Sequence, residues 1–157
     1  MHLTRFAALL LIVGLFAFGL AAPAAASEQS AVMATVHQFV TGFNTGDVKS
    51  ALAACASPAA VIDEFPPHTW QGSTACADWA SAYDANAKAN GITDGIVTMG
   101  TPWHVDVTGA RAYVVVPVTY AYKQHGKAVR ESGSIFTVAL RKVAAGWRIT
   151  AWAWAKH

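Results

Sequence analysis

The side chains able to do chemistry are few and widely spaced. His37, His68, His104, His125 and His157 lie far apart, and no HxxxH, HExxH, CxxC or GxSxG occurs after residue 26. Metal-hydrolase and serine-hydrolase chemistry therefore has no support, and no metal or cofactor is expected. Asp63 and Glu64 are adjacent acids in a short strand-like stretch, residues 60–65, where a period of two sends them to opposite faces. That parity leaves Glu64 for solvent. Val114, Val116, Val118, Tyr120 and Tyr122 share one face of a longer strand-like stretch, residues 111–123. Trp79 and Tyr83 stand one helical turn apart, four residues being neighbours on a helix surface. Buried tyrosine hydroxyls usually find a partner, so these groups predict either a polar point in an apolar pocket or core packing with hydroxyls at its rim.

Residues 1–26 combine Arg5, an apolar run and Ala24-Ala25-Ala26. This pattern predicts a secretory signal peptide, a secreted or periplasmic location and no membrane contact after cleavage; the alternative is a retained membrane anchor. Residues 27–157 remain, enough for one domain with a real core. Net charge is +2 and the cations are scattered, so nucleic-acid binding has no support. In an oxidising compartment Cys55 and Cys76 are expected to form a disulfide tying two helices together, against the alternative of two separate buried thiols.

The elements that must position these groups are legible from periodicity. Val32, Val36, Phe39, Val40 and Phe43 repeat at helical spacing, and Asn44-Thr45-Gly46 ends that helix. Asp47 predicts the cap of a short helix reaching about residue 56. A strand over residues 60–65 stops at Pro66-Pro67, and Ser73 predicts the cap of a third helix that ends at Gly91. Residues 96–107 read as one strand, followed by strands over 111–123, 129–142 and 147–156 with short breaks between them. Short breaks make neighbours antiparallel, so this half predicts a meander. The fold class is α+β: a curved antiparallel sheet with three N-terminal helices on its concave face.

FNTGD at residues 43–47, AVIDEF at 60–65, WQG at 70–72 and GWRI at 146–149, in this order, resemble the nuclear transport factor 2-like superfamily. That cone-shaped fold is shared by ketosteroid isomerase, SnoaL-like cyclases and scytalone dehydratase. The resemblance covers nearly all of residues 27–157 and implies a cavity between helices and sheet. It implies that Asp63 occupies the position of the isomerase's proton-shuttling carboxylate, and that the even face of residues 111–123 turns inward. The implied pocket is lined by Phe39, Trp79, Tyr83, Val116, Val118, Tyr120 and Phe136. The isomerase's helix-one tyrosine falls on Phe39 and its second acid near Ser134 or Phe136, so steroid isomerisation is not implied.

In the last strand Trp147, Ile149, Ala151, Ala153 and Ala155 alternate with Arg148, Thr150, Trp152, Trp154 and Lys156. Inward alanines would leave room for a ligand and put Trp152 and Trp154 at a homodimer contact; the opposite assignment puts both tryptophans in the pocket. The function expected is binding of a small, largely apolar molecule. The alternatives are an isomerase, cyclase or dehydratase using Asp63, or a dimeric interaction module.

Overall fold

The computed structural model of the chain describes residues 21–156, with side chains from residue 26 onward. Most of the expected signal peptide, residues 1–26, lies outside the described residues, as does His157. No described helix is long and apolar enough to cross a membrane.

Among the described residues three helices and seven strands follow one another as α1 (Ala21–Thr45), α2 (Val48–Ala53), β1 (Cys55–Ile62), β2 (Thr69–Gly72), α3 (Ala75–Ala89), β3 (Ile92–Met99), β4 (His104–Thr108), β5 (Arg111–Gln124), β6 (Lys127–Val143) and β7 (Gly146–Ala155). One sheet has the order β2-β1-β7-β6-β5-β3, with β4 also paired to β5. It is antiparallel except where β1 meets β7. The helices lie against one side of this curved, unclosed sheet, as the α+β reading expects.

The stripe Val32, Val36, Phe39 and Val40 buries α1 against Val114, Val116, Val138 and Ile149 of the sheet. Asp47 caps α2 as expected, its carboxylate accepting from the Ser50 amide at 3.0 Å. The remaining boundaries differ in informative ways. The second helix stops at Ala53, and Cys55 already belongs to β1, so the Cys55–Cys76 disulfide joins a strand to α3 rather than two helices. Thr74, not Ser73, occupies the start of α3. The expected strand over residues 96–107 is two strands, because Pro102 has no amide to donate to a ladder. Both pieces pair with β5, β4 along its first half and β3 along its second.

Two of the sheet's bulges decide which side chains of β6 and β7 point inward. Along β6, Ser134 pairs with Val118 and Ser132 with Thr119, leaving Gly133 unpaired at φ +83°. Along β7, Ile149 pairs with Leu140 and Ala151 with Ala139, leaving Thr150 unpaired. One extra residue in a strand reverses the parity of everything beyond it. Hence Trp147 and Ile149 before the bulge, and Trp152 after it, are all buried. The expected dimer contact at Trp152 and Trp154 is corrected on this ground: Trp152 is 4 % exposed, and Trp154 packs against the same core. The inward-alanine assignment falls with it.

Candidate functional site

Between α1, α3 and the inner face of the sheet lies a pocket of about 200 Å³. Its deeper walls are aromatic. Phe39 stacks on Phe136 with centroids 6.0 Å apart, and Trp79 meets Trp152 edge to face at 4.7 Å. Such pairs gain roughly 0.5–1.5 kcal/mol beyond area burial, which makes these walls a preformed surface. Asn44, at the end of α1, donates to the Val97 carbonyl at 2.8 Å and accepts from the Val97 amide at 2.9 Å, fixing the helix to β3 at the pocket's edge.

Polar groups enter the pocket as three separate arrangements. The first is Asp63, just beyond β1 and only 9 % exposed. It continues the odd parity by which Ala59 and Val61 are buried. Its Oδ1 accepts from the Glu64 amide at 2.7 Å and its Oδ2 from Trp79 Nε1 at 2.7 Å. Burial raises its carboxyl above the ordinary range, and these two hydrogen bonds oppose the rise by favouring the ionised form.

The second arrangement is a hydrogen bond between the hydroxyls of Tyr83 on α3 and Tyr120 on β5. Burial raises both phenols, that of Tyr120 the further, and the bond to Tyr83 adds to the effect there. The Tyr120 ring lies over Gly95, where a Cβ would come within 2.5 Å of the hydroxyl, so β3 needs glycine at this point.

The third is at the mouth. Tyr122 donates to Glu131 Oε1 at 2.9 Å, Lys156 Nζ donates to the same oxygen at 2.8 Å, and Glu64 lies 3.6 Å from Lys156. The bond to Glu131 raises the Lys156 ammonium above its ordinary value.

Of the expected pocket residues, Asp63, Phe39, Trp79, Tyr83, Tyr120 and Phe136 line it. Val116 and Val118 do not; this expectation is corrected. Both are on the inner face but belong to the packed core, at 0 % and 3 % exposure. The bulge at Thr150 explains the difference, since it brings Trp152 and Trp154 inward to form the wall those valines were expected to supply. Glu64 is exposed as its parity requires, yet stands at the mouth. Glu131 was missed as a site residue, whereas Tyr122, read with the even face of β5, does reach the pocket. The signal for Glu131 was Gly133 inside a strand, since an isolated glycine there marks a bulge and turns the odd residues before it inward. Among the described residues no three His, Cys, Asp or Glu side chains gather to hold a metal ion.

No protein-family model matches the chain, and no curated protein matches it by sequence. Solved structures do match it. A nuclear transport factor 2-like protein with a cystatin-like fold from Novosphingobium aromaticivorans is 16% identical at TM-score 0.70, covering 90% of this chain and 92% of its own. A nuclear transport factor 2 superfamily protein from Salmonella enterica serovar Typhimurium is 11% identical at TM-score 0.70, over 84% of this chain and 92% of that one. A ketosteroid isomerase-like protein from Erwinia carotovora is 16% identical at TM-score 0.64, over 82% and 95%. At these identities the likeness speaks to architecture: the chain has the cone-shaped fold of the nuclear transport factor 2-like superfamily.

Proposed function

We propose that this is an exported domain that binds a small, largely apolar molecule in the aromatic pocket. The observation that carries the reading is the separation of the pocket's polar groups. Catalysis of isomerisation, cyclisation or dehydration needs a base and an electrophilic donor aimed at one reacting centre. Here Asp63 is held by Trp79, the tyrosines hold each other, and Glu131 is held by Tyr122 and Lys156. Among the described residues no hydrogen bond joins Asp63 to either tyrosine. A few dispersed polar groups in an apolar wall orient a ligand without transforming it. The disulfide supports export, because such bonds persist in oxidising compartments.

One observation favours the enzymatic alternative. Asp63 combines burial in the pocket with a raised carboxyl pKa, the condition that makes an acid useful as a general base. The Tyr83–Tyr120 pair would supply the hydroxyl that Phe39 lacks.

Native mass spectrometry of protein purified from its own host tests the binding reading: a co-purifying small molecule is expected, and its absence from freshly isolated protein counts against it. Asp63→Asn then separates the two activities. A binding protein holds that molecule about as well as before, whereas an enzyme binds it and loses roughly 10² to 10⁴-fold in turnover.

A further inference from the structure

The pocket has charge of one sign. Among its lining residues Asp63, Glu64 and Glu131 are acids, and none is Lys, Arg or His. A cavity meant for an anion would place a cation in its wall; this one places carboxylates there. Two of them converge on a single point at the mouth, and a cation already stands on that point. It is the chain's own Lys156, whose Nζ is 2.8 Å from Glu131 Oε1 and 3.6 Å from Glu64 Oε1.

The surroundings of that point suit an organic cation. Tyr122 donates to the same Glu131 oxygen and so fixes the carboxylate. The Tyr122 ring stacks on Tyr120 at 4.7 Å, and Trp154 meets Tyr120 edge to face at 6.4 Å. Aromatic faces beside a carboxylate attract ammonium groups through the ring quadrupole, most strongly when water is excluded. Lys156 is a weak occupant. It follows the last residue of β7, and its side chain is 51 % exposed, so holding it there gains little. Glu131 is the better-sheltered partner, with its side chain 15 % exposed.

We propose that the ligand is an organic amine, its ring among the deeper aromatic walls and its protonated nitrogen between Glu131 and Glu64 in place of the Lys156 ammonium. This rests on the binding reading of the pocket and names the ligand class. Size narrows the class further. A dry cavity of about 150 Å³ takes benzene, and drug-sized ligands need roughly 300–1,000 Å³. A volume near 200 Å³ therefore suits one or two rings.

Three probes with one ring system and three charges test this: tryptamine, 3-ethylindole and indole-3-propionate, compared by isothermal titration calorimetry at neutral pH and low salt. Tryptamine is expected to bind about tenfold or more tighter than 3-ethylindole, with indole-3-propionate weakest. Glu131→Gln should remove that advantage, and its thermal unfolding followed by circular dichroism reports whether the fold is intact. Lys156→Gln, which removes the internal competitor, should tighten tryptamine severalfold. Tryptamine binding no tighter than 3-ethylindole, or indole-3-propionate binding best, overturns the amine proposal and leaves the binding reading standing. Binding of none of the three also overturns it, and the binding reading then stands or falls on the mass measurement. Should Glu131→Gln unfold, Lys156→Gln decides, since an unchanged or weakened tryptamine affinity there overturns the proposal.

Discussion

Asp63 sits under opposed influences: burial pushes its carboxyl pKa up, and the Trp79 and Glu64 N–H groups pull it down. Replacing Trp79 by Phe keeps a ring in the wall but removes the larger of the two opposing hydrogen bonds. Two outcomes are expected. The buried carboxylate loses a partner, which costs about 1–3 kcal/mol near neutral pH. Its pKa also rises further, as carbon-detected titration of the Asp63 carboxyl would register. A folded-state pKa above the ordinary 3.8 makes the contribution of Asp63 to stability greatest below 3.8, and lost as pH rises through the folded value. The deficit of Trp79→Phe against wild type, measured by urea unfolding, should therefore widen from acid toward neutral pH. A deficit independent of pH would mean that the Trp79 N–H does not govern this carboxyl. The sequence pointed to Asp63 through the resemblance carried by AVIDEF at residues 60–65, and strand parity separated it from Glu64. It could not point to Trp79 as its partner, since side chains 16 residues apart meet only through the packing of α3 on β1.

At the scale of elements, the difference between the expected and observed faces of β6 and β7 comes down to two unpaired residues. Plain alternation sorts the two faces of a strand until a bulge intervenes, so it grouped Val114, Val116 and Val118 on one face of β5, which the resemblance turned inward, while it failed along β7. Trp152 and Trp154 share a parity with Arg148, and only the extra residue Thr150 reconciles a buried Trp147 with a buried Trp152. Nothing in Thr150 itself announces a bulge. Gly133 does, because its φ of +83° is one that a side chain resists. Gly133→Ala is expected to cost about 1–2 kcal/mol, the usual penalty for a Cβ in the left-handed region. Denaturant unfolding measures it, with Ser132→Ala, on the same strand and exposed, as the control. Equal stability of the two variants would show that the bulge does not depend on glycine. The disulfide acts at this scale too: bridging residues 21 apart in sequence, it contributes on the order of 3 kcal/mol by restricting the unfolded chain.

At the scale of the whole molecule, the architecture was legible because element order restricts it: two helices, a short strand and a third helix, then strands too closely spaced to be anything but antiparallel neighbours. The parallel pairing of β1 with β7 was not, for it joins strands far apart in the sequence and leaves no local trace. Side chains tie α1 to the sheet at two points. Asn44 holds its last turn to β3, and in its first half Glu28 accepts from Lys142 at 2.6 Å and from Trp147 Nε1 at 3.0 Å. Cleavage of the expected signal peptide after Ala26 would leave this second tie in place. Those two hydrogen bonds hold the Glu28 carboxyl below its ordinary 4.5, despite a small opposing effect of burial. A depressed folded-state pKa gives stability that is present above 4.5 and lost as pH falls through the folded value, the reverse of Asp63. Glu28→Gln isolates the effect, because Asp63 titrates alike in both proteins. Wild type should be the more stable at neutral pH, with the difference shrinking toward zero in acid and, for a solvent-exposed tie, in high salt. Amide exchange should locate the loss in the first turns of α1 and the β6–β7 turn rather than at the pocket. A difference that persists unchanged in acid would mean that packing, not the carboxylate, anchors that half of the helix.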